Sequence, residues 1–239
     1  MCPAPEPGPR VLDVSQLVNE GNPAASSGPR PSTPEDERGS IWSSLSYPPL
    51  YRFLQRISGS DHARRVFADE ILRCGPEERI LDIGCGTAEL IELLPPTVSY
   101  LGLDSRARYI DHARRCYGDR ATFLQGTIEE LAVDDVGPRD IVLAGAVMHH
   151  LDDQTVDDLL ETARAVLVPG GRFVAGDPVI LPVQHPIART VARYDRGHHV
   201  RTVEETEALV GRHFPDASFT VRSDLQRFPY DHVIVDARR

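Results

Sequence analysis

The stretch Leu81-Asp82-Ile83-Gly84-Cys85-Gly86-Thr87-Ala88-Glu89 decides the fold. It closes the short apolar run 79–83, RILDI, and opens into TAELIELL at 87–94. Its reading is strand, glycine-bearing turn, helix. Glycines 84 and 86 permit torsions forbidden to other residues and let a ligand approach the backbone closely. A dinucleotide would favour G-x-G-x-x-G, and the third glycine place is Glu89. A carboxylate there also opposes a pyrophosphate at the helix start. Asp104 stands eighteen residues after Gly86, at the end of the next apolar run, SYLGL at 99–103. An acid at that place can accept hydrogen bonds from both hydroxyls of a ribose. The turn therefore suits a nucleoside ligand without phosphates.

The same alternation extends outward. Ala63, Phe67 and Ile71, with Val66 and Leu72 beside them, predict an amphipathic helix ending at Gly75-Pro76. Further helices are expected at 105–118, around 127–132, over the stripe Val156, Leu159, Leu160, Ala163, Val166 and Leu167, and at 203–214. Further strands are expected at 121–125, 140–146 and 172–177. DIVLAGA at 140–146 is apolar throughout and reads as a central strand buried on both faces. Residues 178–202 break the rhythm as an insertion with one helix, on which Ile187, Val191 and Tyr194 share a face. SFTVRSD and DHVIVDA close the chain as a strand pair. Strands alternating with helices mean a doubly wound, mostly parallel α/β sheet.

Residues 1–40 carry eight of the twenty prolines and few large apolar residues, so they read as a disordered tail. Residues 41–239 read as a single domain, with a lid-forming segment over 41–60. The 239 residues suffice for one sizeable core. The formal charge of −10 disfavours nucleic acid and anionic membranes. All 26 basic residues are Arg, which excludes Schiff-base and P-loop chemistry needing a lysine. The start MCPAPEPGPR lacks an apolar signal core, so a cytoplasmic protein is expected. The cysteines at 2, 74, 85 and 116 have neither disulfide-framework nor zinc-site spacing. His149, His150 and Asp152 could suggest a metal set, but adjacent histidines do not easily face one ion, so no metal is expected. Oligomeric state is open.

RILDIGCGTAEL, YLGLDSRARYI and LVPGGRF together resemble the class I S-adenosylmethionine-dependent methyltransferases, over residues 61–177. The resemblance implies a Rossmann-like sheet of seven strands with an antiparallel seventh. It implies S-adenosyl-L-methionine as cofactor and S-adenosyl-L-homocysteine as product. Asp82, Gly84, Cys85 and Gly86 would surround the methionine part, and Asp104 with Ser105 would hold the ribose. Thr127 and Ile128 would meet the adenine, with Thr127 standing where the family commonly has an acid. Ala144, in the LAGAVMHHL run at 143–151, would border the cofactor near the acceptor. That run lacks the D/N-P-P-Y/F motif of base methylation, so a small-molecule acceptor of natural-product type is implied, with O, N or activated C attacked.

His149, His150 and His198 are the candidate bases, since histidine titrates near neutrality. Tyr47, Tyr51, Asp177, His185 and Tyr194 are the candidate acceptor contacts. Methyl transfer is an in-line displacement in which orientation alone is worth roughly 7–11 kcal/mol. A cyclase or pericyclase that keeps the cofactor as a structural element is the alternative, followed by a nicotinamide oxidoreductase and a non-catalytic binding subunit.

Overall fold

A computed structural model describes residues 60–193, 198–226 and 229–239. The expectations placed on 1–59, on Tyr194 and on the side chain of Val191 fall outside the described residues. The fold opens with helix α1 (Ser60–Val66), continued by a π-helical turn over Phe67–Leu72. Strands β1 (Arg79–Ile83), β2 (Ser99–Asp104), β3 (Thr122–Gln125), β4 (Arg139–Gly145) and β5 (Leu167–Ile180) follow. Between them lie α2 (Ala107–Tyr117), α3 (Val133–Val136) and α4 (Asp153–Val166). The chain ends with α5 (Pro186–Arg193), β6 (Arg201–Thr202), α6 (Val203–Val210), β7 (Ser218–Arg222) and β8 (His232–Arg238).

The sheet runs β3-β2-β1-β4-β5-β8-β7, with β1 to β5 parallel. β8 is antiparallel to both β5 and β7. This is a Rossmann-like sheet with a reversed last strand. The unforeseen element is β6, two residues paired parallel to Val179 and Ile180 of β5. Strand order reverses between β1 and β4, and a ligand crevice is expected beyond their carboxyl ends.

Both faces of the sheet are covered because the strands alternate. Val142 and Ala144 of β4 face one way, packed with the α4 stripe of Val156, Leu159, Leu160 and Ala163 and with Leu209 of α6. Phe173 of β5 stacks on Phe214 in this layer, with ring centroids 5.6 Å apart. Ile141 and Leu143 face the other way, toward Ile91, Ile110, Ile71 and Leu72. Each fully buried Leu, Ile or Phe contributes roughly 1.5–3 kcal/mol by leaving water.

Several local expectations are corrected. TAELIELL forms only a 3-10 helix over Glu89–Leu93. Ala88 is left-handed at φ 57°, and Pro95 holds Leu94 extended, leaving no room for α-helical turns. The helical turn foreseen around 127–132 lies instead at α3. Strand β5 continues three residues past Asp177, because β8 pairs with it as far as Pro178 opposite His232 and β6 pairs with Val179. On α5 the buried face is Ala188 and Ala192, whereas Ile187 is 53% exposed. α6 is capped by Thr202 and Glu205, whose side chains each bond the other's backbone N–H, and it ends at Gly211.

Candidate active site

The crevice at the β1/β4 reversal point is built around the glycine turn. Gly84 N–H and Cys85 N–H both donate to the Leu103 carbonyl, at 2.7 and 3.0 Å, which ties the turn to β2. Gly84 sits at φ +71°, and a Cβ there would lie 2.4 Å from Cγ2 of Val147. Gly86 sits at φ +57°, and a Cβ there would meet nothing within 4 Å. Gly84 is thus demanded by packing, while Gly86 presents bare backbone to open space.

Asp104 is held from two sides. Its Oδ2 accepts from Gly86 N–H at 3.0 Å and its Oδ1 from Arg106 N–H at 2.8 Å. Two backbone donors fix the carboxylate at the rim of the turn and leave its remaining lone pairs free for a ligand's hydroxyls. Ser105 beside it is exposed.

Asp82 lies at the floor, 5% exposed, and accepts a hydrogen bond from the Tyr100 hydroxyl. Burial pushes its carboxyl up to about 7, against the opposing effect of the Tyr100 hydrogen bond. The Asp104 charge adds to the rise. Burial, with the Asp82 and Asp104 charges, likewise raises the Cys85 thiol far above its ordinary range, so it is protonated and not a nucleophile.

Asp82, Gly84, Cys85 and Gly86 border a cleft of about 320 Å³, and Asp104 lies just outside its wall, bonded to the Gly86 N–H. Leu143, Gly145 and Ala146 wall it from β4 and its following turn, and Ala63, Arg64 and Phe67 from α1 and its π-helical extension. Gly176 of β5 with His232 and Ile234 of β8 wall the far side. Arg64 pairs with Glu89 across the mouth. That pairing offsets the Glu89 charge, so the case against a dinucleotide rests chiefly on the missing third glycine. Tyr109 also borders the cleft, with Arg106 and Arg108 guanidinium carbons 5.5 and 5.0 Å from its ring centroid. A polar recess of about 480 Å³, walled in part by Gln184, His185, Ser223 and Asp231, shares Gln226 with the cleft.

The structure separates the remaining candidates. Ala144 is fully buried and points away from the cleft, because β4 alternates and Leu143 takes the floor. Ile128 is buried against Leu81 and Ile83. Thr127 is exposed, and its N–H donates to Oε2 of Glu130 at 3.0 Å. His149 is not part of the cleft wall. Its Nδ1 is 2.7 Å from Oδ1 of Asp177, which also accepts from the His149 N–H at 3.1 Å. Both are buried around a separate cavity of about 10 Å³, room for a single water. His150 is exposed and packs on His149, with ring centroids 4.0 Å apart. His198 is exposed on a turn. Asp177 faces away from the cleft as well, because Gly176 and Asp177 are consecutive on β5 and only Gly176 lines it. His185 is exposed and accepts from Ile187 N–H at 3.2 Å, bordering only the polar recess. Tyr47, Tyr51 and Tyr194 lie outside the described residues.

Sequence reasoning missed Phe67, Tyr109 and His232. Phe67 was seen as part of a helix stripe, but the π-helical turn rotates it partly out of the core. His232 heads a strand that was recognised, but only the antiparallel register with β5 brings it opposite Pro178 and into the cleft.

Residues 80–171 match the family model described as a methyltransferase domain. Those residues thus carry a methyltransferase domain, consistent with the class I, S-adenosylmethionine-dependent enzymes. S-adenosylmethionine is the cofactor of this family, and the Gly86 backbone and the Asp104 carboxylate are suited to its nucleoside. A trans-aconitate 2-methyltransferase of Pseudomonas aeruginosa is 33% identical over 113 residues, covering 46% of this chain and 39% of that protein. The pyocyanin biosynthetic protein PhzM superposes with a TM-score of 0.64 at 21% identity, over 84% of this chain and 62% of that one. The [4+2]-cyclase SpnF superposes with a TM-score of 0.58 at 14% identity, over 75% of this chain and 81% of that one. The chain spans about half the length of the curated relatives it matches. Among the described residues, no helix is long and apolar enough to cross a membrane.

Proposed function

We propose that this methyltransferase moves the methyl group of S-adenosylmethionine to a small-molecule acceptor bound in the cleft between α1 and β8. The observation that carries the reading is the bare Gly86 backbone, tied through its N–H to a carboxylate with lone pairs to spare. The bound sulfonium supplies an electrophilic methyl carbon. Asp104, anchored by the Gly86 and Arg106 N–H groups, accepts from the two ribose hydroxyls. Asp82 offers the floor an acid that a cationic ligand would hold ionised. Arg64, in the cleft wall and paired with Glu89 and Asp61, is a cation that a carboxylate at the methionine end would have to share.

Leu143, Phe67 and Ile234 give the acceptor end an apolar lining, and Gln226 links it to the polar recess. An apolar cleft with few polar groups is the usual form of a small-molecule site. The acidic chain, with a charge of −10, disfavours a nucleic-acid acceptor. A natural-product acceptor is the finer form of this reading, in keeping with the fold shared with the pyocyanin biosynthetic protein PhzM.

The test is product formation. S-adenosylhomocysteine is quantified after incubation with S-adenosylmethionine and, separately, a panel of phenols, carboxylic acids and amines, and a panel of oligonucleotides. Turnover with a small molecule supports the reading. Turnover confined to oligonucleotides, or tight cofactor binding with rearranged but unmethylated products, overturns it; the second outcome would favour the cyclase alternative.

A further inference from the structure

Among the described residues the acceptor end of the cleft holds one histidine, and it is not among the three that the sequence singled out. His232 opens β8 directly opposite Pro178. Gly176, opposite Ile234 two residues further along, shares its face of the sheet. The three positions 176, 232 and 234 wall the cleft together, while Asp177 and Val233 belong to the other face. The His232 residue is 8% exposed, and its Nδ1 is buried without a hydrogen-bond partner among the described residues. A buried ring nitrogen left unpaired costs stability, so a histidine kept at the cleft wall at that cost points to a role other than packing. The Tyr230 ring meets the imidazole edge-on, with centroids 4.9 Å apart, and fixes its plane.

We propose that His232 receives the proton of the methyl acceptor. This rests on the methyl-transfer reading above. As the acceptor's O–H or N–H heteroatom forms its bond to the methyl carbon, the carbon–sulfur bond breaks and its electron pair stays on sulfur as a neutral thioether. The heteroatom's proton passes to the His232 imidazole, and the resulting imidazolium later loses it to water. Atoms and charge balance without any further reagent.

The surroundings keep the ring in the form that can do this. Burial lowers His232 below the ordinary histidine range, and the nearby His149 adds to that. The Asp177 and Asp231 charges and the Tyr230 backbone oppose the drop. Asp82, Arg64 and Glu89 are the other charged groups of the same cleft, from β1, α1 and the 3-10 helix. At neutral pH the ring is uncharged and ready to accept. Asp177, on the opposite face of the sheet, acts on the ring through its charge alone.

Two measurements test this on the full chain. The first needs no known acceptor. Ring-labelled histidine spectra are recorded from near pH 5 to near pH 9, with S-adenosylhomocysteine alone and then with 1-naphthol added as probe, and His232 is assigned by its loss in His232→Asn. The proposal expects a His232 signal that titrates below the ordinary range and moves when the probe is added. A signal indifferent to both molecules overturns it. The second uses whichever phenol yields S-adenosylhomocysteine. His232→Asn and His232→Gln should lower kcat/KM by about 10²–10⁴-fold, through kcat, and erase the acid limb of its pH profile. Their cofactor Kd should stay within about twofold of wild type, which separates proton transfer from a loss of the fold. Either variant retaining a third of wild-type kcat/KM with the acid limb intact overturns the His232 assignment and leaves the methyl-transfer reading standing. Failure of the wild type to bind S-adenosylmethionine at all would instead strike the reading beneath it.

Discussion

Asp82 sets a conflict between stability and binding that one substitution exposes. The carboxyl is buried beneath the glycine turn, and its proton is held up to about 7, from an ordinary 3.8. A group that binds its proton more tightly when folded contributes stability that is full below the unfolded value. That stability is lost as pH rises through the folded value. For Asp82 the window therefore runs from about pH 4 to about pH 8. A rise of this size corresponds to ~4 kcal/mol at most, taking 1.36 kcal/mol for each tenfold change. Asp82→Asn removes the titration and keeps an oxygen for the Tyr100 hydroxyl to donate to. The cofactor-free variant should be more stable than wild type by about 2–4 kcal/mol near pH 8, and the gap should shrink steadily toward pH 5. Urea denaturation across that range reads both curves. The same variant should bind S-adenosylmethionine more weakly, because a neutral amide attracts a cation less than a carboxylate does. A stability gap that stays constant with pH, or reverses, would refute the idea that this carboxyl is held protonated by burial.

Other substitutions separate the roles of neighbouring groups. Asp104→Ala should weaken S-adenosylmethionine binding by about 1–3 kcal/mol, since two ribose hydroxyls lose their acceptor, and calorimetry reads the change directly. Gly86→Val should remove cofactor binding while far-ultraviolet dichroism stays unchanged, because the added atoms enter open space; a β-branched residue at φ +57° should lower Tm as well without unfolding the chain. Gly84→Ala should act on the fold instead, lowering Tm, since its Cβ falls 2.4 Å from Val147 at φ +71°; strain of that kind costs on the order of 1–3 kcal/mol. His149→Ala should cost stability by about 1–3 kcal/mol in urea denaturation, because it strips a partner from buried Asp177, while cofactor affinity changes little.

The cofactor half of the site was legible because its chemistry is local. Gly84, Gly86 and Asp104 announce themselves by residue type and spacing on one strand–turn–helix unit and the strand beside it, and strand β4 by its unbroken apolar run. The acceptor half depends on long-range register. That His232 and Gly176 share a wall follows from antiparallel pairing of residues far apart in the chain, which periodicity within DHVIVDA cannot supply. The paired histidines after β4 misled for the same reason. Their place along the chain was right for an active site, but His149 turns to Asp177 on the opposite face of the sheet. The resemblance places Ala144 beside the cofactor, but strand alternation sends it into the core. The face shared by Ile187 is legible from periodicity, but which face of the helix is buried is not: Ala188 and Ala192 are enclosed and Ile187 is exposed.

Titration calorimetry of the wild-type chain with S-adenosylmethionine and, in parallel, with NADH bears most directly on the central claim. One saturable site for the sulfonium nucleoside, abolished in Gly86→Val, and no heat from the dinucleotide is the expected outcome. Saturable NADH binding, or silence toward S-adenosylmethionine in wild type, would contradict it.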